Sequence, residues 1–247
     1  MSTRVVAVIQ ARMGSKRLPG KVLRDLEGIP VLAHVIRRVI SAPRVDRVVV
    51  ATTTSDADDA IAALADHEGA AVTRGEEDDV LARFAAAFQE HGGTIGVRIT
   101  SDCPCVDPQL VGRMIHEFSC ARPDIDYLSN AVVRTFPRGY DVEIFRVDAL
   151  VRAYVAADDR SAREHVTPYL YRHPEQFAIA HYTREDPSHT ADWRLTLDEE
   201  ADWRVLEYLF QALYPSDAFF GLEAVERFLT AHPDVLTWNA SVAQRVH

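Results

Sequence analysis

The feature that most constrains the fold is a regular alternation of apolar and amphipathic runs over the first 120 residues. Four runs have the length and the β-branched composition of buried strands, and they span 5–11, 47–52, 71–75 and 95–100. Four runs with helical periodicity alternate with them, and they span 30–41, 56–69, 76–91 and 107–120. This alternation predicts a parallel sheet with helices on both faces.

The second half of the chain is less regular. It predicts strands at 125–130, 140–145, 177–183 and 193–198, and helices at 147–157, 161–174 (interrupted by a proline), 199–213 and 221–233. We therefore expect one α/β domain over residues 1–247, with a doubly wound, mostly parallel sheet. An insertion at 125–190 is expected to cover the site or to form a dimer contact.

Composition excludes several classes of protein. The net charge of −10 disfavours binding to nucleic acid and to anionic membranes. No apolar run approaches 18 residues, and the first ten residues lack the pattern of a signal peptide. The three cysteines do not suggest a disulfide framework. We expect a cytoplasmic protein without a membrane segment.

The stretch VIQARMGSKRLPGKVL, residues 8–23, is a basic island in this acidic chain. It follows the first predicted strand, at the edge where ligands bind in open α/β sheets. Its glycines allow the backbone to approach a phosphate closely, and its arginines and lysines supply charge-assisted hydrogen bonds. A nucleoside triphosphate is the ligand that this combination favours.

Two common phosphate-binding motifs do not fit this stretch. A Walker A motif has four residues between its glycines and a hydroxyl residue after its lysine. Here Gly14 and Gly20 enclose five residues, and Val22 follows Lys21. The dinucleotide pattern GxGxxG is also missing. A Walker ATPase and an NAD enzyme are therefore not expected.

The segment QARMGSKRLPGKVL resembles the nucleotidyltransferase signature of the CMP-sugar synthetases. That family includes 3-deoxy-manno-octulosonate and acylneuraminate cytidylyltransferases, and the match is closest to relatives of the spore-coat polysaccharide biosynthesis protein F type. The resemblance covers roughly residues 4–210. It implies a Rossmann-like nucleotide-diphospho-sugar transferase fold and the transfer of CMP from CTP, with release of pyrophosphate.

The resemblance also implies roles for particular residues. Arg12 and Lys21 would hold the triphosphate, Arg17 would complete the phosphate clamp, and Arg74, in TRGEEDDVLARF, would lie near the base or ribose. Asp78 belongs to the same motif, although acids at the start of a helix also favour its dipole. The expected nucleotide-binding residues are Gln10, Ala11, Arg12, Met13, Gly14, Ser15, Arg17, Lys21, Arg74, Asp78 and Ser101.

Two aspartates are candidate ligands for Mg²⁺, which prefers carboxylate and phosphate oxygens. Asp102 follows a strand in VRITSDCPCVDP, which resembles the family's GDxP segment with Ser101 in place of the glycine. Asp198, in WRLTLDEEADW, resembles the second carboxylate of the family, although an aspartate there can also be a helix N-cap. Asp107, before Pro108, is more simply an N-cap.

Candidate acceptor-binding residues lie in the second half, in two segments that resemble spore-coat-type members. The segment TFPRGYDVEIF contains Arg138, Asp141 and Glu143, and SAREHVTPYLY contains Arg163, Glu164 and His165. Asp141 and Glu143 alternate on a predicted strand, so they face one side, either toward an acceptor or toward solvent. The second segment is predicted to place its three residues in the first turn of a helix, with His165 as a base, a ligand or a structural residue.

Together these features predict a Mg²⁺-dependent cytidylyltransferase with Arg12, Lys21, Asp102 and Asp198 as catalytic residues. The acceptor is expected to be an acidic sugar, an amino sugar, a cyclitol or a phosphonate. Alternatives are a nucleotidyltransferase that uses another nucleoside triphosphate, a glycosyltransferase that uses a nucleotide sugar, and a nucleotide-sensing module without catalysis. A homodimer is the oligomeric state that the resemblance implies.

Overall fold

The structure is a computed structural model that describes residues 3–185 and 189–243. Its strands are β1 (Val5–Gln10), β2 (Asp25–Leu26), β3 (Ile29–Pro30), β4 (Arg47–Thr53), β5 (Ala71–Gly75), β6 (Ile95–Thr100), β7 (Tyr127–Ser129), β8 (Glu143–Arg146) and β9 (Ile179–His181). Seven of them form one sheet in the order β5–β4–β1–β6–β8–β7–β9, and β2 pairs with β3.

Helices cover both faces of the large sheet. They are α1 (Val31–Ile40), α2 (Asp59–His67), α3 (Val80–His91), α4 (Pro108–His116), α5 (Val147–Ala156), α6 (Arg160–His165), α7 (Pro168–Arg172), α8 (Glu200–Leu213) and α9 (Leu222–Ala231). One hydrophobic core joins the sheet to α1, α2, α4, α8 and α9, and a second core joins its other face to α3, α5, α6 and α7. Within the described residues, no helix is both long enough and apolar enough to cross a membrane.

The central strand β1 shows why the alternation of runs predicted this architecture. Val5, Ala7 and Ile9 belong to one core, whereas Val6 and Val8 belong to the other. A strand with both faces buried is apolar at nearly every position, as strands of α/β sheets are. The predicted α/β fold with a mostly parallel sheet is confirmed.

The direction of the strands brings several loops to one edge of the sheet. In the sheet, β4 lies next to β1 and β5 lies next to β4. The next strand of this sheet, β6, lies on the opposite side of β1. Such a crossing opens a crevice at the carboxyl ends of the strands. Because β8 alone runs antiparallel to its neighbours, its first residue, Glu143, also lies at this edge.

The segment at 125–190 extends the same sheet. It supplies β7, β8 and β9 at one side of the sheet. Its helices α5 and α6 pack against α3, and α7 packs against α5 and α6.

The predicted strand at 193–198 is wrong. Its backbone instead bonds to two different loops: Leu195 N–H donates to the Arg138 carbonyl at 2.8 Å, and Leu197 N–H donates to the Asp102 carbonyl at 2.8 Å. The first contact needs a glycine next to Arg138, since a Cβ at Gly139 would lie 2.2 Å from the Leu195 carbonyl oxygen. Only an isolated bridge between Arg138 and Arg194 has strand geometry.

The predicted start of α3 is wrong, and so is the predicted position of three residues within α6, although an aspartate caps each of these helices. Asp79 accepts from Ala82 N–H at 2.9 Å, so Asp78 and the acids before it precede α3 and do not lie in its first turn. Asp159 accepts from Ala162 N–H at 2.9 Å, so α6 begins at Arg160. Because α6 ends at His165, Arg163, Glu164 and His165 lie in its last turn and not in the first.

Candidate active site

The basic loop after β1 is held in place by a buried carboxylate, Asp58. Its Oδ1 accepts from Met13 N–H at 2.7 Å, and its Oδ2 accepts from the Thr53 hydroxyl at 2.5 Å. The loop closes where Gly20 N–H donates to the Met13 carbonyl at 3.3 Å, and Gly20 has a φ of 69°. Asp58 was missed in the sequence, where it reads as one more polar residue of a helix.

An open cavity of about 300 Å³ lies between this loop, the ends of β1 and β6, the first turn of α3, and the last turn of α6. Twelve of the predicted site residues line it: Gln10, Ala11, Arg12, Gly14, Ser15, Arg17, Lys21, Ser101, Asp102, Glu164, His165 and Asp198. Five other lining residues are not among the predicted site residues, although Lys16 belongs to the basic island: Lys16, Val22, Val80, Arg83 and Thr100. The cavity thus combines residues from both halves of the chain.

Lys21 is the centre of the charged end of the cavity. Its Nζ donates to Asp102 Oδ2 at 2.7 Å, to Asp198 Oδ1 at 2.9 Å and to the Leu197 carbonyl at 2.6 Å. Burial by itself lowers the pKa of Lys21, but the charges and hydrogen bonds of the two aspartates outweigh it and raise the pKa above its ordinary value. Lys21 is therefore a buried ammonium clamped by two carboxylates.

Asp198 has three cationic partners. Besides Lys21, Arg17 lies 3.0 Å and Arg194 2.6 Å from its Oδ2. Burial raises the pKa of Asp198, yet Lys21, Arg194 and Arg17 lower it to about 2. Asp198 is not a helix N-cap, because that position of α8 belongs to Glu199.

A buried carboxylate, Asp202, supports this end of the cavity from behind. It accepts from Arg194 Nε–H at 2.8 Å and from the backbone N–H groups of Asp198 and Glu199, each at 3.0 Å. Asn239, in the C-terminal tail, donates to Asp202 at 3.0 Å and to the Arg194 carbonyl at 2.9 Å. The orientation of Asp198 therefore depends on α8 and on the tail.

Asp102 and Asp198 could hold a divalent cation. Both direct an oxygen at the same point, now taken by the Lys21 ammonium, and oxygen is the ligand that Mg²⁺ prefers. Among residues 3–185 and 189–243, no group of three or more His, Cys, Asp or Glu side chains forms a metal cage. A carboxylate pair without a cage fits Mg²⁺, which binds to one or two carboxylates together with substrate phosphates.

Glu143 does not line the cavity. It is buried, and its carboxylate forms an ion pair with Arg98 and accepts from the hydroxyls of Tyr127 and Thr167, each at 2.5 Å. Burial raises the pKa of Glu143, but Arg98 and these hydroxyls keep it below its ordinary value. Arg98 Nε–H also donates to Gln10 Oε1 at 3.0 Å, so the buried group contacts the cavity through Gln10.

Asp141 and Arg163 also lie outside the residues that line the cavity, each in an ion pair. Asp141 pairs with Arg134 at 2.6 Å, and it precedes β8 instead of sharing the strand with Glu143. Arg163 pairs with Asp79 at 3.1 Å, which ties α6 to the start of α3. The structure therefore separates the predicted acceptor residues, and it brings only Glu164 and His165 to the cavity.

Four further predicted residues lie away from the lining. Arg74 donates to the Thr53 and Ser55 carbonyls and to Asp59 Oδ1, at 2.7, 2.8 and 2.6 Å. Asp78 is exposed, and Met13 packs beside the hydrophobic core. Arg138 is partly buried beside Arg134, and its backbone pairs with 193–195.

Comparison with known proteins places this arrangement in a family. A sequence profile of cytidylyltransferases matches residues 6–227. The chain belongs to the cytidylyltransferase family. It is therefore an enzyme of the nucleotidyltransferase class, and the predicted family is confirmed.

Individual relatives agree with this assignment. The chain is 32% identical over 212 residues to the spore coat polysaccharide biosynthesis protein SpsF of Bacillus subtilis, a match that covers 84% of this chain and 86% of the relative. Its fold is similar to that of a cytidylyltransferase from Leptospira borgpetersenii, with a TM-score of 0.90, 29% identity and full coverage of both chains. It also resembles, in fold, CMP:2-keto-3-deoxy-manno-octonic acid synthetase complexed with CTP, with a TM-score of 0.62, 17% identity, and coverage of 85% of this chain and 99% of that chain.

Proposed function

We propose that this cytidylyltransferase transfers CMP from CTP to a small sugar or sugar-like acceptor and releases pyrophosphate, with Mg²⁺ as its metal. The observation that carries the proposal is the position of Lys21, between Asp102 and Asp198 at the end of a basic loop that follows β1. A triphosphate on the loop and a cation on the two carboxylates would meet at this point.

The residues of the chain would act mainly by positioning and by electrostatics. Arg12, Lys21 and the backbone of the loop would bind the triphosphate, and Arg17 would complete the phosphate clamp. Asp102 and Asp198 would hold Mg²⁺, which when bound neutralises phosphate charge and polarises the phosphoryl oxygens. With a nucleotide present, Lys21 has phosphate oxygens to bind in place of one or both carboxylates.

The acceptor would lie on the α6 side of the cavity. Glu164 and His165 line that side, where they can bind or orient acceptor hydroxyls. Arg138 and Asp141 belong to one predicted acceptor segment but do not line the cavity, so their roles in the acceptor site stay predictions. An acidic sugar is the first choice, because a protein of similar fold is a synthetase of CMP-activated 2-keto-3-deoxy-manno-octonic acid.

The test is pyrophosphate release in the presence of Mg²⁺, measured for CTP, UTP, GTP and ATP against pools of acidic sugars, amino sugars, cyclitols and phosphonates. Release with CTP and one pool supports the proposal and, after the pool is divided, names the acceptor. Release of pyrophosphate from another nucleotide would show that the enzyme uses that nucleotide and not CTP. Consumption of a nucleotide sugar without pyrophosphate would instead indicate a glycosyltransferase.

The metal assignment has its own test. We expect Asp102→Asn and Asp198→Asn each to slow pyrophosphate release by about 10²–10⁴-fold, or about 3–5 kcal/mol of activation free energy. Asp25→Asn is the matched control, because Asp25 is exposed on β2, away from the cavity. Near-wild-type rates for both site variants, with an intact fold, would refute the assignment.

A homodimer and a cytoplasmic location stay predictions. The 125–190 segment contributes four exposed apolar side chains, Val132, Val133, Val151 and Val155, that a second copy could cover. Light scattering after size-exclusion chromatography measures the oligomeric state, and cell fractionation measures the location.

A further inference from the structure

Arg83 is a cation of the cavity that lies in the segment TRGEEDDVLARF but is not among the predicted site residues. It projects from the first turn of α3, is 3% exposed and lines the cavity next to Val80. Its Nη1 donates to the carbonyls of Glu76 and Glu77. Within the described part of the chain, its Nε is buried without a hydrogen-bond partner, and no carboxylate forms an ion pair with it.

The chain builds a specific place for this guanidinium. A Cβ on Gly75 would lie 2.9 Å from Arg83 Cγ, so the end of β5 needs a glycine for the side chain to pass. Burial and the nearby charge of Arg12 lower the pKa of Arg83, which means that its charge is poorly compensated in the free protein. A buried donor without a partner is rare enough to require an explanation, and a missing ligand is one.

Arg83 belongs to a different part of the cavity from Lys21. Its charged neighbours are Arg12, Asp58, Glu77 and Asp79. Those of Lys21 are Asp102 and Asp198. If the triphosphate lies on the basic loop near Lys21, the nucleoside lies toward the ends of β1 and α3, where Arg83 and the apolar Val80 line the wall.

The hydrogen-bonding groups at this place match one pyrimidine better than the other. A guanidinium only donates hydrogen bonds, so it binds to the acceptor atoms of a base. Cytosine presents two acceptors, O2 and N3, beside a donor, the 4-amino group. Uracil presents a donor, N3–H, where cytosine has an acceptor, and it would leave the buried Arg83 without a partner at that atom.

We propose that Arg83 binds the hydrogen-bonding edge of the base and makes the enzyme select cytosine over uracil. This proposal rests on the proposed use of CTP. It assigns base selection to a residue that the sequence places inside a helix, four residues after the acidic run.

The experiment measures dissociation constants for CTP, UTP and inorganic pyrophosphate by isothermal titration calorimetry. The proteins are the wild type, Arg83→Met, Gly75→Ala and the control Arg37→Met, whose arginine pairs with Glu68 on the surface. We expect Arg83→Met to weaken CTP binding about 10- to 100-fold, the range of a charged hydrogen bond. Binding of UTP and pyrophosphate should change less than 3-fold. Gly75→Ala should act in the same direction, since it displaces the Arg83 stem.

Three results would overturn the proposal: unchanged CTP binding in Arg83→Met, equal losses for CTP and UTP, or a parallel loss for pyrophosphate, which would indicate a phosphate contact. If Arg83→Met does not fold, Gly75→Ala and Arg83→Lys are read by the same criteria. The proposed function fails in a different way, namely when the wild type itself binds UTP, GTP or ATP more tightly than CTP.

Discussion

Lys21 is buried and still charged, because three oxygen atoms surround its Nζ within 2.9 Å. Two of these oxygens belong to carboxylates that come from different halves of the chain, Asp102 and Asp198. A single ammonium therefore holds together two side chains that would otherwise repel each other. The charges of the ammonium and the two carboxylates compensate one another locally, and each of these three side chains can be substituted separately.

Lys21→Met should lower kcat for pyrophosphate release by about 10²–10³-fold, the usual cost of removing one group that stabilises charge in the transition state. Arg24→Met is the control, since Arg24 lies in the same turn but pairs with Glu200 at the surface, 2.6 Å away. Steady-state kinetics and thermal melting of both variants separate catalysis from stability. A Lys21→Met enzyme that keeps most of its kcat would contradict the role of this lysine.

His34 is expected to make the free energy of unfolding depend on pH. It is 2% exposed between Phe210 and Tyr214, and its Nε2–H donates to the Leu26 carbonyl at 2.9 Å. Burial lowers its pKa from 6.5 to about 4. Between these values the unfolded chain binds more protons than the folded one, so the free energy of unfolding falls as the pH drops from 6.5 to 4.

The loss from His34 should reach about 3 kcal/mol at pH 4. His34→Gln keeps a donor for Leu26 but removes the titration, so its stability should change less over the same pH interval. Urea unfolding of both proteins at pH 7, 6, 5 and 4.5 measures the difference. Parallel curves would show that His34 does not carry this pH dependence.

At the scale of elements, the junction between α6 and α7 is the part of the cavity wall with the most unusual backbone. Val166, which follows α6, has a φ of 73°, a costly conformation for a β-branched residue. The next residue, Thr167, donates to Glu143 from its hydroxyl. The buried pair of Glu143 and Arg98 thus fixes the turn that places Glu164 and His165.

Glu143→Gln should destabilise the protein by about 3–5 kcal/mol, because it leaves the Arg98 charge buried without a partner. Asp141→Asn is the matched control from the same segment. Asp141 pairs with Arg134 nearer the surface, so its loss should cost less than about 1 kcal/mol. Chemical denaturation measures both. Equal effects of the two substitutions would contradict the assigned difference in burial.

The elements predicted correctly are those that form because of the residues within them or next to them in sequence. The strands β1, β4 and β6 are apolar because both faces of the sheet are covered, and Asp107 and Pro108 mark the start of α4. The segment at 193–198 has the composition of a strand but bonds to two loops that the sequence does not place beside it. The two-residue spacing predicts that Glu143 and Asp141 face the same side of a strand. In the structure, however, Glu143 is bound by the hydroxyls of Tyr127 and Thr167, which are distant in sequence.

At the scale of the whole molecule, the site depends on the C-terminal tail. Asn239 is 3% exposed and connects Asp202 with the Arg194 carbonyl, behind Asp198. This contact could not be predicted, because an asparagine in an irregular tail belongs to no sequence pattern. The basic loop, by contrast, could be predicted with most of its cavity residues, since its cations and glycines are contiguous.

Asn239→Ala should lower the free energy of unfolding by about 1–3 kcal/mol, because it leaves buried acceptors of Asp202 and Arg194 with one donor fewer. Thr237→Ala is the control in the same tail, where an exposed hydroxyl donates to the Asp234 carbonyl. Urea unfolding measures stability, and KM for CTP reports on Asp198. If Asn239→Ala changes neither the free energy of unfolding nor KM for CTP, the tail covers the core without supporting the site.

The contact between Lys21 and Asp198 spans 177 residues of the chain, and that between Lys21 and Asp102 spans 81. During synthesis, Asp102 follows Lys21 after 81 residues, and Asp198 follows it only after 177. Contacts of such long range are slow to form, because the loop that they close must first lose its entropy. A nascent chain would therefore build the sheet around β1 before it gains a complete binding site, and refolding followed by fluorescence should precede the recovery of nucleotide binding.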